Sequence, residues 1–252
     1  MSQVIKDLFK RYEGLTPQVK SLNELFSKHE RSVVVDHFAL RTFSHPKVNL
    51  QKLIDPFLKE GYEIKGDYIF EKKNLKAVHL EKEGMPRVFA SELQLEKCSP
   101  AVRKILNRLG DQVEEFHLRQ DEGCLWQVVS KEEYETLAAE SEYAAWVSVW
   151  GMTINHYAAD IKQLGFESTE ELNSFLKDNG YRLNTVGGEI KGTPALGLVQ
   201  SATISDQVEI IFSCNTKYLV PGCFYEFAYR YNNFQGFIAD NANKIFHSTD
   251  RK

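Results

Sequence analysis

The sequence predicts an α+β fold in which two copies of a βαβββ module form one curved, barrel-like sheet. The prediction starts from strand-like runs and single amphipathic helices that alternate in the same order in both halves of the chain. Their spacing also repeats: 24 positions separate His37 from Gly61, and 24 separate His156 from Gly180. The segments around these two glycines, FLKEGYEI and FLKDNGYRL, are similar as well. A shared order at a fixed spacing indicates an internal duplication.

Composition narrows the class of protein. The chain has 252 residues, of which 42% are hydrophobic and 26% charged, as expected for a globular protein with a sizeable core. Its net charge of −4 provides no basic excess, which argues against nucleic-acid binding. We find no signal-peptide core and no stretch near the ~18 apolar residues of a membrane span, so we expect a cytoplasmic protein without membrane contact. The four cysteines form no CxxC pair, which disfavours a zinc ribbon.

The repeat also predicts the domain organisation. We expect residues 1–252 to form a single metalloenzyme domain with additional helices at the N-terminus and between the modules. Its predicted parts are a helical lead-in at 1–30, module one at 31–98, a helical connector at 99–145 and module two at 146–252.

Element boundaries follow from periodicity and capping residues. In module one, SVVVDHFALRTF (32–43) is typical of a buried strand, and the helix after Asn49 should end at Gly61. In the connector, capped helices should begin at Ser99 and Ser130, with a strand candidate at 123–130 between them. In module two, the predicted elements are a strand at 146–158, a helix that begins at Ser168, and strands at 195–203, 207–213 and 223–231.

The repeat places His37 and His156 at equivalent strand positions, so both imidazoles should face the concave space between the modules. The last strand of each module adds one carboxylate, Glu92 or Glu226, and the repeat alone leaves both open as a third ligand. Two imidazoles and one carboxylate with open coordination positions are the ligand set of non-haem Fe(II) oxygenases. We therefore predict an Fe(II) site that binds a small 2-oxo acid and dioxygen.

Arg41 lies four residues after His37, hence on the same strand face and about 13 Å along it. A guanidinium at that distance from a metal suits a dicarboxylate whose far carboxylate accepts a bidentate hydrogen-bonded pair. Arg230 stands in the same relation to Glu226 and is either a second anion contact or a salt-bridge partner.

Three motifs resemble a known family. They are DHFALRTF at 36–43, WGMTINHYA at 150–158 and PGCFYEFAYRY at 221–231. Through them the chain resembles the 2-oxoadipate dioxygenase/decarboxylase (2-hydroxyglutarate synthase) family, which is related to the vicinal oxygen chelate superfamily. The resemblance extends from about residue 30 to the C-terminus.

The resemblance implies both a site and a reaction. It implies that His37, His156 and Glu226 bind Fe(II), which selects Glu226 over Glu92, and that Arg41 binds a substrate carboxylate. It also implies that 2-oxoadipate reacts with dioxygen to give 2-hydroxyglutarate and CO2, a step of lysine catabolism.

Two alternatives use the same scaffold. A different divalent metal could make the protein a lyase, isomerase or hydrolase that acts by Lewis-acid polarisation. Alternatively, the concave pocket could serve a non-enzymatic small-molecule binding protein.

Overall fold

The structure is a computed structural model, and it describes residues 3–116, 125–213 and 215–249. Two helices, α1 (Gln3–Leu15) and α2 (Pro17–Lys28), precede the first module. That module comprises β1 (Val35–Phe43), α3 (Leu50–Lys59), β2 (Glu63–Phe70), β3 (Leu75–Glu81) and β4 (Arg87–Leu93). The connector contains α4 (Pro100–Asp111), α5 (Lys131–Glu140) and α6 (Glu142–Trp150).

The second module repeats the order of the first with one addition. It comprises β5 (Ile154–Asp160), α7 (Thr169–Asp178), β6 (Lys191–Thr193), β7 (Leu198–Ala202), a hairpin of β8 (Gln207–Ile211) and β9 (Lys217–Pro221), and β10 (Phe224–Arg230). Helix α8 (Ala239–Ile245) and a 3₁₀ turn (Phe246–Thr249) follow. None of the helices among the described residues has the length and apolar character that crossing a membrane requires.

One eight-stranded sheet joins the modules in the order β2-β3-β4-β1-β5-β10-β7-β6. Strands β1 and β5 are antiparallel neighbours at its centre, and each has a parallel neighbour on its outer side, β4 or β10. Strand order and direction on one side of the centre therefore match those on the other. This symmetry confirms the predicted α+β fold of duplicated βαβββ modules, whereas the exact module boundaries stay a prediction.

The connector differs from the predicted elements. Residues 146–150 were predicted to begin a strand, but they form the end of α6, and β5 begins only at Ile154. Every residue from Tyr143 to Trp150 is buried, so this stretch has no visible apolar period that would distinguish a helix from a strand. Residues 125–130 of the strand candidate at 123–130 form no strand, and 123–124 lie outside the described residues.

The N-terminal helices brace the sheet behind the predicted site. Tyr157 and Tyr225, each next to a predicted ligand in sequence, bond through their hydroxyls to Asn23 of α2. The hydroxyl of Tyr12 in α1 donates to the carbonyl of Phe224. Because neighbouring strand residues face opposite sides, α1 and α2 lie against the face opposite the ligands.

Candidate metal centre

Three predicted ligands meet at the centre of the sheet. His37 (β1), His156 (β5) and Glu226 (β10) each offer one ligand atom, and these atoms all lie within 4.8 Å of one another. The Nε2 atom of His37 lies 3.4 Å from Oε1 of Glu226, and Nε2 of His156 lies 3.1 Å from Oε2. All three residues are buried. Within the described residues, no other group of three such side chains has the geometry to hold a metal ion.

Strand register explains this convergence. Ala158 of β5 pairs with His37 on one side and with Glu226 on the other. His156 lies two residues from Ala158 and therefore faces the same side of the sheet. The small side chain of Ala158 leaves space above it, so the imidazoles and the carboxylate can approach one another.

The same register separates Glu92 from the site. In module two, Glu226 pairs with Ala158, which lies two positions after His156. In module one, the residue two positions after His37 is Ala39, and its partner on β4 is Phe89. Glu92 lies on the other face of β4, where its carboxylate accepts from the backbone N–H of Leu50 at 2.6 Å and pairs with a lysine. Of the two carboxylates that the repeat left open, only that of Glu226 therefore lies beside the histidines.

A β-bulge beside each histidine supplies a hydrogen-bond acceptor for its ring. Asp36 is the extra residue on β1, and Asn155 is the extra residue on β5. Nδ1 of His37 lies 2.7 Å from Oδ1 of Asp36, and Nδ1 of His156 lies 3.0 Å from Oδ1 of Asn155. Each Nδ1–H donates to an oxygen, which leaves each Nε2 free to bind a metal.

Sequence analysis missed both acceptors, because strict alternation along a strand would point them away from the histidines. The available signal was a polar residue directly before each histidine in an otherwise apolar strand.

The electrostatics of the site suit a cation. Burial raises the pKa of the Glu226 carboxyl, but the charges and hydrogen bonds of His37 and His156 outweigh burial and lower this pKa to about 2. Burial lowers the pKa of His37, but Glu226 and Asp36 raise it more, so the net pKa is raised. For His156, burial outweighs Glu226, and the net pKa is lowered. An ionised carboxylate between two buried imidazoles is thus present at neutral pH.

The cavity in front of the ligands also contains Arg41. The cavity is lined by seven polar residues and by apolar side chains, and several of the apolar side chains belong to the C-terminal segment 237–249. The polar residues are His37, Arg41, Ser91, Asn155, His156, Gln200 and Glu226. Gln200 was not singled out from the sequence; its amide donates to Oε1 of Glu226 and accepts from Asn241 of α8.

The guanidinium of Arg41 has hydrogen-bond partners at Nη1 and Nη2 but none at Nε among the described residues. Its Nη1 donates to Glu142 at 2.7 Å, its Nη2 lies 3.3 Å from Oγ1 of Thr249, and its Nε has no hydrogen-bond partner in the described part of the chain. The group is also flanked by three aromatic rings at 4.9–5.4 Å. The Nε–Nη2 edge is therefore available for an anion.

Arg230 is a salt-bridge partner in this structure. Its Nε and Nη2 bond to the two oxygens of Asp36 at 2.6 and 2.9 Å, and it does not line the cavity. Arg230 therefore acts on His37 through Asp36.

Comparison with known proteins places this site in context. The sequence profile of a family described as 2-oxoadipate dioxygenase/decarboxylase matches residues 2–120 and 110–234. The Arabidopsis thaliana protein named 2-oxoadipate dioxygenase/decarboxylase, chloroplastic, is 31% identical over a region covering 94% of this chain and 74% of that protein.

Solved structures are similar over most of the chain. The hydroxyglutarate synthase of Oryza sativa in complex with 2-oxoadipate has a TM-score of 0.88 at 28% identity, covering 98% of this chain and 91% of that one. A protein described as a putative hydrolase from Shewanella frigidimarina has a TM-score of 0.85 at 42% identity, covering 94% and 96%. A putative glyoxalase superfamily protein from Ralstonia eutropha (TM-score 0.72, 20% identity, covering 91% and 82%) shares the fold. These similarities confirm the predicted vicinal-oxygen-chelate-like architecture.

Proposed function

The chain belongs to the 2-oxoadipate dioxygenase/decarboxylase family, and we propose that it acts on a 2-oxo dicarboxylic acid such as 2-oxoadipate. Dioxygen is the co-substrate, and the products are CO2 and a 2-hydroxy acid one carbon shorter, such as 2-hydroxyglutarate. The observation that carries the proposal is the convergence of His37, His156 and Glu226 beside a cavity that also contains Arg41.

The proposed cofactor is Fe(II), held by His37, His156 and Glu226. The residues fit this ion because two imidazole nitrogens and one ionised carboxylate leave coordination positions open, as in non-haem Fe(II) oxygenases. Both Nε2 atoms are free for coordination because both Nδ1 atoms already have acceptors. When bound, Fe(II) would bind the 2-oxo acid and supply the redox chemistry with dioxygen.

The protein's own residues orient the substrate and exclude water. We assign the far carboxylate of the substrate to the Nε–Nη2 edge of Arg41, since Nε has no partner among the described residues and Nη2, which carries two hydrogens, donates only to Thr249. Phe237 lies with its ring centroid 4.7 Å from that of His37, and Ile245 and Phe246 also line the cavity. These apolar side chains restrict the access of water to the metal-binding atoms.

The site takes His37 from one half of the sheet and His156 and Glu226 from the other. We therefore propose that residues 1–252 work as one metalloenzyme unit rather than as two independent domains. A role in lysine catabolism and a cytoplasmic location also remain proposals, and the Arabidopsis relative is named as a chloroplastic protein.

The direct test is anaerobic purification, addition of Fe(II), and exposure to air with 2-oxo acids of five to seven carbons. We expect 2-oxoadipate to drive equal molar consumption of dioxygen and release of CO2, with 2-hydroxyglutarate as the organic product. His156→Ala serves as the matched control and should give neither gas change.

Turnover of a substrate under strictly anaerobic conditions would contradict the proposal. It would favour a metal-dependent lyase, isomerase or hydrolase on the same site. Retention of 2-oxoadipate binding by His156→Ala, without any turnover by the parent protein, would instead favour a binding protein.

A further inference from the structure

The Asn155 side chain has one end in use and one end free. Its Oδ1 accepts from His156, whereas its Nδ2 is buried and has no hydrogen-bond partner among the residues that the structure describes. The residue is 1% exposed and lines the cavity. A buried donor without an acceptor costs about 1–3 kcal/mol, so an acceptor for Nδ2 is expected when the site is occupied.

The equivalent bulge residue in module one is fully paired. Asp36 also contacts its histidine, but its two oxygens accept from Arg230 and Arg87 as well, and it does not line the cavity. Orientation of the histidine therefore requires only one end of such a side chain. The unpaired Nδ2 donor of Asn155 has no counterpart at Asp36 in module one.

The position of Asn155 lies on the path that the substrate would take. Along the β1–β5 pair, Ala39 is opposite His156 and Leu40 is opposite Ile154, so Asn155 lies one step from His156 towards the level of Arg41. A dicarboxylate that reaches from the metal ligands to Arg41 passes Asn155. The nearest part of that molecule is its 2-oxo acid end.

We infer that Asn155 is a substrate-binding residue whose Nδ2 donates a hydrogen bond to an oxygen of the 2-oxo acid end, while its Oδ1 positions His156. The inference rests on the function proposed above. The Asn155 amide would thus both position His156 and bind the substrate, and different substitutions can separate these two roles.

Two variants separate the tasks. Asn155→Asp keeps an acceptor for His156 but removes the donor and adds a negative charge, whereas Asn155→Leu removes both ends. Asn107→Asp makes the same change at an exposed asparagine of α4 that does not line the cavity, and it is the control. Fe(II) affinity is measured without substrate, and 2-oxoadipate affinity is measured with Fe(II), both by anaerobic calorimetry.

For Asn155→Asp we expect Fe(II) affinity no weaker than that of the parent, because His156 keeps an acceptor that gains a charge, and 2-oxoadipate affinity at least about 10-fold weaker, as for a lost hydrogen bond to a charged group. Asn155→Leu should weaken Fe(II) binding about 10–100-fold as well. Asn107→Asp should leave both affinities unchanged.

Two results would overturn the inference while leaving the proposed function standing. One is an Asn155→Asp protein that binds 2-oxoadipate as tightly as the parent. The other is an equal fall in Fe(II) and 2-oxoadipate affinity in that variant, because substrate loss would then follow from metal loss. A parent protein that binds Fe(II) but no 2-oxo acid would refute the proposed function itself, and this inference with it.

Discussion

Substitution of Asp36 by asparagine tests how the protein supports its first histidine. The Asp36 side chain is 3% exposed and contacts His37 at 2.7 Å, Arg230 at 2.6 and 2.9 Å, and Arg87 at 3.2 Å. Burial raises the pKa of Asp36, but the hydrogen bonds and charges of His37 and Arg230 outweigh burial. The net pKa is therefore lowered, and the carboxylate is ionised. It is the shared anion of two guanidinium groups and one imidazole.

The expected loss in the free energy of unfolding follows from the interactions of Asp36 that asparagine cannot make. The amide keeps one acceptor for His37, but it removes the negative charge that offsets Arg87 and Arg230. Loss of one partner from a buried ion pair costs about 3–5 kcal/mol. Both arginines keep other acceptors, namely Glu81 and Gln235 for Arg87 and two backbone carbonyls for Arg230. We therefore expect the low end, about 3 kcal/mol in the free energy of unfolding.

The assay measures stability and metal binding separately. Urea unfolding of the metal-free protein, followed by tryptophan fluorescence, should show the 3 kcal/mol loss, and Tm should fall by about 6–12 °C. Fe(II) affinity should fall about 10–100-fold, because the acceptor that orients His37 loses its charge. Asp240→Asn removes one partner of an exposed i,i+4 pair with Lys244 and should cost less than about 0.5 kcal/mol. An Asp36→Asn protein with the stability and metal affinity of the parent would refute this account.

Three further predictions concern the ligands and the substrate. Glu226→Gln replaces the carboxylate beside the two histidines by a neutral amide, so Fe(II) affinity in an anaerobic titration should fall by more than about 100-fold; an unchanged affinity would mean that Glu226 is not a ligand. Arg41→Met should raise KM for 2-oxoadipate by at least about 10-fold in an oxygen-uptake assay, but alter KM for 2-oxohexanoate, which lacks the far carboxylate, by less than about 3-fold. Equal effects on both substrates would place the carboxylate elsewhere. Fe(II) at 100 times its Kd should stabilise the protein by about 2.7 kcal/mol over the chelator-treated form, and equal Tm values would rule out a specific site.

Local sequence patterns predicted much of the fold. The 24-residue spacing after each histidine predicted the duplicated modules and placed the two histidines at equivalent positions. These features are visible because helix period, capping residues and repeat spacing are written in consecutive residues. The prediction of a strand at 146–150 was wrong because a fully buried run shows no apolar period. This segment is helical because Ser141 caps the helix and because the helix packs on all sides.

The choice of carboxylate beside the two histidines depended on tertiary structure. The repeat left Glu92 and Glu226 open as the third ligand, and the family resemblance selected Glu226. Only the pairing of β10 with β5 brings Glu226 opposite Ala158, whereas β4 presents Phe89 at the matching position. Register is a property of hydrogen bonds between distant segments, so a single sequence contains no direct record of it.

By itself, therefore, the sequence predicted most of the elements of the two modules, the duplication, and the residue types of the candidate metal-binding group. The tertiary structure decided which carboxylate joins the histidines, that Asp36 and Asn155 bulge out to contact them, and that Glu142 pairs with Arg41 from a helix 101 residues away. The physical reason is that periodicity and capping are local, whereas bulges, register and ion pairs arise only when separate strands and helices are brought into contact.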